Sequence, residues 1–220
     1  MAHPNEVRID EALGSISSVI SSPSATIEMV CDSLRRLGDV YSSINEVICL
    51  HNNQAHGKRL EEEMERSLEV LDLCNTMQES FADLKMTIQE LQMVLNRGDL
   101  TAAQVKAQSY ARLVKKAKHH LKNVANRFCS NEDGWLVSLL TAARRITVSA
   151  LKSAVELLSK KMATCNSSKW SLISKSSRVS CEEVQWQALE LGLAGLESSV
   201  ENLFRSLIQT RVSFLNNLSL

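Results

Sequence analysis

Residues 58–97 read KRLEEEMERSLEVLDLCNTMQESFADLKMTIQELQMVLNR, and their apolar spacing decides the fold class. Leu60, Met64, Leu68, Leu71, Cys74, Met77, Phe81, Leu84, Ile88, Leu91 and Leu95 follow one another at steps of three or four. That spacing gathers them into a narrow apolar stripe on one face of a helix. No glycine or proline interrupts the forty residues. A lone helix showing such a stripe would aggregate, so the stripe requires partner helices.

The partners are legible further along. Trp186, Leu189, Leu193, Leu196, Val200, Leu203 and Leu207 repeat the pattern, and so do Leu136, Leu139, Ala143, Ile146, Ala150, Ala154 and Leu157. The chain's two prolines, Pro4 and Pro23, both lie near its start, leaving the remainder free of its strongest helix breaker. No alternating strand pattern of useful length occurs. The breaks predict helices over residues 6–20, 25–53, 58–97, 101–128, 135–164 and 181–217, with Thr101 capping the fourth. The expected fold is all-α: an elongated bundle of five long helices plus a short N-terminal one, with coiled-coil-like packing. Residues 1–220 read as a single domain, with a serine-rich loop at 166–180 inside it.

Bulk properties exclude several functions. Twenty-five basic residues balance twenty-five acidic ones, so the chain as a whole has no electrostatic pull toward nucleic acid or lipid. The six cysteines form no C-x-x-C pair, and Cys31, Cys49 and Cys74 sit among apolar residues, as reduced buried thiols do. The N-terminus lacks the apolar core of a signal peptide, and Glu6, Asp10 and Glu11 are unlike a transit peptide. Arg144 and Arg145 interrupt the best candidate for a membrane span. A cytoplasmic location is the expectation.

Charge is nonetheless segregated. Between Glu61 and Glu90 stand nine acidic residues against Arg66 and Lys85 alone; between Leu100 and Asn131 stand seven basic residues and no acid. A short turn at Gly98 should lay these two helices antiparallel. Their opposite charges then meet as solvent-screened rim contacts, each worth under about 1 kcal/mol. Lys106, Arg112, Lys115, Lys116, Lys118 and Lys122 form the one face suited to an anionic partner or membrane surface. The bland alternative is a solvated face balanced by its acidic neighbour. Only Tyr110 and Phe128 supply aromatic rings nearby, which speaks against nucleic acid.

Other chemistry finds no footing. His119 and His120 point about 100° apart on a helix and cannot share a metal. His51 and His56 flank a turn without companion ligands. No nucleophile-elbow or phosphate-cradling glycine pattern occurs. Glu61, Glu62 and Glu63 read as an exposed acidic helix start. Gly192 and Gly195 suit a close helix crossing. The serines of 166–180, interspersed with Lys169, Lys175 and Arg178, read as a linker or as a site where phosphorylation turns a basic loop acidic. No catalytic residue, metal, cofactor, small-molecule substrate or particular protein partner is expected.

Three stretches carry a resemblance. Ser67-Leu-Glu-Val-Leu-Asp-Leu-Cys74 precedes Lys85 and Gln89-Glu-Leu-Gln92; Tyr110 precedes the lysine-rich helix; and Leu203-Phe-Arg-Ser-Leu-Ile-Gln-Thr-Arg-Val-Ser-Phe-Leu-Asn216 closes the chain. In this order they resemble the plant-specific BYPASS-related family across nearly the whole sequence. Two positions depart from its pattern: Asn96-Arg97 stands where the family has a double arginine, and Ser206 replaces a usual arginine. The resemblance implies a non-enzymatic regulatory or interaction protein of plant root and shoot development. A peripheral membrane protein using residues 106–127 is the alternative, and an enzyme would need a polar pocket between the helices.

Overall fold

The computed structural model describes residues 4–50, 57–125, 134–167 and 179–218. These form six helices: α1 (Pro4–Ile20), α2 (Ile27–Leu50), α3 (Gly57–Asn96), α4 (Leu100–Ala125), α5 (Trp135–Ser167) and α6 (Val179–Leu218). No strand occurs among the described residues. The expected serine-rich loop overlaps the ends of α5 and α6, while residues 168–178 lie outside the described set. His51, His56 and Cys129 lie outside it too.

Local chemistry sets the helix ends. Thr26 caps α2, accepting from the Met29 amide on its hydroxyl (3.3 Å) and from the Val30 amide on its carbonyl (3.1 Å). The α3–α4 turn leaves little backbone unpaired. Gly98 adopts φ +72°; its amide donates to the Leu95 carbonyl (2.9 Å), and the Asp99 amide donates to that of Val94 (3.1 Å). This is a Schellman closure, which needs a left-handed residue and so favours glycine. Asp99 then serves the next helix, its carboxylate accepting from the Ala102 amide at 2.9 Å. The cap of α4 is therefore Asp99 and not Thr101, which already lies inside the helix.

Side-chain contacts fix the directions. Ion pairing of Lys106 with Glu90 sets α4 antiparallel to α3. Gln89–Glu190 and Lys85–Glu197 set α6 antiparallel to α3. Ile27 lies against Gly192, Cys31 against Gly195, and Gly38 against Ser206, so α2 and α6 run parallel. The helices close a ring in the order α2, α6, α3, α4, α5 and back to α2, and α1 covers the α2–α5 seam. A single apolar cluster draws on all six. At about 1.5 Å per residue the forty residues of α3 span about 60 Å.

The predicted stripe of α6 is buried at all seven positions. That of α3 holds from Leu71 to Leu91, but Leu68 is 42% exposed while Val70, about 200° round the helix, is fully covered. In α5, Leu139, Ala143, Ala150 and Ala154 are buried, whereas Leu136, Ile146 and Leu157 flank the cluster. The true α5 core is wider and includes Leu151, Val155 and Leu158.

The glycines lie at the α2–α6 crossing. A Cβ on Gly192 would stand 3.2 Å from Ile27, and one on Gly195 would stand 3.3 Å from the Cys31 sulfur. Gly38 makes the matching approach from α2, where a Cβ would stand 3.3 Å from the Ser206 hydroxyl.

Candidate functional site

The α4 sequence alternates small apolar residues with cations. Ala103, Ala107, Tyr110, Val114, Ala117 and Leu121 take the buried side at steps of three or four, which leaves the cations to the flanks and the outside. The structure divides the six predicted basic residues into two sets. Lys106 leans toward α3 and pairs with Glu90 at 2.7 Å. Lys118 leans toward α5 and donates to the Ser159 hydroxyl at 3.1 Å. Arg112, Lys115, Lys116 and Lys122 are exposed and stand outward over nearly three turns, with His119 among them. None of these four cations has an ion-pair partner among the described residues.

The acidic helix is split differently. Asp72, Glu79 and Asp83 are exposed; Glu90 and Lys85 tie α3 to its two neighbours. Glu63 is the surprise. Read from the sequence as part of an exposed acidic run, it is 2% exposed and receives both Arg144 and Arg66. Arg144 donates to both Glu63 carboxylate oxygens, one of them at 3.3 Å, and to the Thr141 hydroxyl at 2.8 Å. Arg66 approaches from the solvent side at 3.0 Å. Buried charges persist where both members are paired and hydrogen-bonded, and here the pair joins α3 to α5 across the ring.

More polar contacts gather at this end. The Thr147 hydroxyl donates to the Ala143 carbonyl (2.9 Å), so it accepts from the Tyr41 hydroxyl at 3.5 Å. Thr210 on α6 donates to the Tyr41 and Ser206 carbonyls at 3.2 and 3.0 Å. Arg211 reaches the Ser67 hydroxyl at 3.1 Å. Burial pushes the Tyr41 phenol up and the Cys74 thiol up to about 12, holding both neutral. The cluster thus links α2, α3, α5 and α6 through one buried ion pair and a set of hydroxyls. Its groups are consumed in holding helices together.

The signal for Glu63 and Arg144 lies in the phase. Glu63 falls in step with Val70, Met77, Leu84 and Leu91 at intervals of seven, and Arg144 with Leu151 and Leu158. All six of those apolar residues are fully covered. A charged residue in the core phase of each of two helices is the mark of a buried pair.

Two open hollows indent the surface among the described residues. One, of about 370 Å³, lies between the α1–α2 turn and α5, with Lys152, Glu156 and Lys160 on its wall. There the Ser22 and Ser153 hydroxyls are engaged by Ser24 and by the Ile20 carbonyl. The other, of about 400 Å³, follows the α1–α2 groove past Arg8, Arg36, Asp39 and Glu46. Among the described residues no group of three or more His, Cys, Asp or Glu could hold a metal ion. No described helix is long and apolar enough to cross a membrane.

No individual curated protein and no solved structure matches the chain. The family model described as Protein BPS1 matches residues 33–191 and 179–216, a span that contains α3, α4, the buried ion pair and most of α2 and α6. The heptad core, the lysine-rich helix and the closing segment all fall within the matched residues, and the chain belongs to the BPS1, or BYPASS-related, family.

Proposed function

We propose that this protein is a non-enzymatic regulatory and interaction protein of plant root and shoot development, and that it acts through the outer face of α4. BPS1-family membership fits a plant developmental regulator. The observation that carries the choice of surface is the division of the α4 cations. Lys106 and Lys118 are spent on neighbouring helices, while Arg112, Lys115, Lys116 and Lys122 face solvent without a partner among the described residues. A row of unpaired cations on a rigid helix steers an acidic partner and fixes its register more than it adds raw affinity. The non-enzymatic part of the reading draws support from the buried polar groups, whose hydrogen bonds run between helices rather than into a cleft.

The test is comparative affinity purification from root tissue, followed by quantitative mass spectrometry. Wild-type protein is set against a variant carrying R112E, K115E, K116E and K122E. The reading expects the wild-type partners to be depleted at least tenfold from the variant, and an unchanged partner set would refute it.

A second reading, contact with an anionic membrane surface, is favoured by the same row of cations lying along one exposed helix face. Co-sedimentation with phosphatidylserine vesicles at low salt decides it. Protein that stays in the supernatant there excludes a membrane role.

A further inference from the structure

The basic row of α4 lies beside an acidic row of α3, and the two rows have matching spacing. α3 and α4 run antiparallel, with Lys106–Glu90 fixing their register. Counting away from that pair, Asp83 comes level with Arg112 and Glu79 with Lys116, each to within one residue. All four side chains are exposed, yet no ion pair joins the two rows among the described residues. Instead Glu79 accepts from its own helix neighbour, Asn75, at 3.0 Å. Both rows face outward, so neighbouring helices of one chain hold complementary charges side by side that do not neutralise each other.

Such a face is complementary to itself. A two-fold axis parallel to the helices sets the α3 row of one copy opposite the α4 row of another. It preserves both the antiparallel direction and the level of each residue. Every acid then meets a base twice over, once on each side of the axis, as an isologous interface demands. Any axis across the helices would oppose like charges and is rejected by them.

The same two helices carry the apolar surface that such an interface also needs. Met86, Met93 and Val105 are each more than half exposed and sit on α3 and α4 near the Lys106–Glu90 pair. A face about 40 Å long, the length of α4, and two helices wide offers roughly 800 Å² per copy, the size of a standard stable interface.

We propose that the exposed α3–α4 face is a homodimer interface, in which Arg112 and Lys116 of one copy pair with Asp83 and Glu79 of a second copy of this chain. The proposal rests on reading the outer face of α4 as a docking surface and names its occupant.

The test uses the full chain in light scattering and sedimentation equilibrium at micromolar concentration. In about 0.1 M salt, where the screening length is about 10 Å, the expected mass is twice 24.5 kDa. In about 1 M salt, where it is about 3 Å, the dimer dissociates at least tenfold more readily. One variant carries R112E and K116E; the other carries E79K and D83K. Each alone is a monomer, because its reversed row meets like charge. Mixed in equal amounts they form a heterodimer, which also certifies that both variants are folded. A wild-type monomer at low salt overturns the dimer while leaving the tissue-capture result to judge the docking face separately. A wild-type dimer that both reversals leave intact, or a mixture that stays monomeric, overturns the pairing equally.

Discussion

Removing Glu63 should cost this protein more than removing its buried partner Arg144, and removing both should cost least. The Glu63 and Arg144 side chains are 1% and 5% exposed, so either one left alone is a charge in the interior. Breaking such a pair costs about 3–5 kcal/mol, whereas replacing both members by apolar residues of similar volume is often neutral. The two single losses differ because the surroundings differ. In Arg144→Met the carboxylate keeps Arg66, 26% exposed and 3.0 Å away, and the cost falls to the lower end, about 3 kcal/mol. In Glu63→Leu the Arg144 guanidinium keeps only the Thr141 hydroxyl, its Nε having no partner among the described residues, and the cost reaches about 5 kcal/mol. The double variant should lie within about 1 kcal/mol of wild type, giving a coupling energy of several kcal/mol. For a chain of this size each kcal/mol moves Tm by about 2–4 °C, so Glu63→Leu lowers it by about 10 °C or more. Urea unfolding of the four proteins, followed by circular dichroism, supplies the numbers. Single losses that simply add in the double variant, or a Glu63→Leu cost below about 1 kcal/mol, would refute the buried-pair account.

Two further predictions concern backbone and burial. Gly14 lies within α1 with nothing within 4 Å of where a Cβ would stand, so Gly14→Ala should stabilise by about 0.5–1 kcal/mol, while Gly98→Ala at φ +72° should destabilise by about 1 kcal/mol; thermal melts compare them directly. The Cys74 thiol, raised from 9.0 to about 12, keeps its proton in the folded chain after the unfolded chain has lost it. Stability from this group is therefore complete below pH 9 and declines as pH climbs from 9 toward 12, by on the order of 1 kcal/mol at pH 10. Tyr41 adds to the loss in the same direction at higher pH. Urea midpoints at about pH 8, 9 and 10 should fall in wild type and fall less in Cys74→Val.

Much of the fold is legible in the sequence because periodicity reports packing directly. The α6 stripe reads without error, since all of it is buried in a helix that packs along both α2 and α3. Among the described side chains α3 misleads chiefly at its acidic start, where apolar residues thin out and composition outweighs phase. Leu68 draws attention for being a leucine, and Glu63 is hidden by standing in a row of glutamates; their burial is the reverse of what residue type implies. The α4 cap is ambiguous in sequence because Asp99 and Thr101 are both good caps, and only the Schellman closure at Gly98 decides between them. Exposure of the α4 cations follows from the alanine and valine spacing opposite them. Their division into flanking and outward sets does not, because it depends on where α3 and α5 lie. Gly38 is silent for the same reason: its value comes from Ser206, which lies in another helix and far along the chain.

The central claim is that the outer face of α4 is where this protein works, and the most direct measurement is rescue of plants that lack it. Wild-type protein and the variant carrying R112E, K115E, K116E and K122E would be expressed at equal levels, with root and shoot growth scored blind. All four residues are exposed, so the variant should keep the helical spectrum and the thermal midpoint of wild type. The account predicts a folded variant that fails to restore growth. Full restoration by that variant would contradict it.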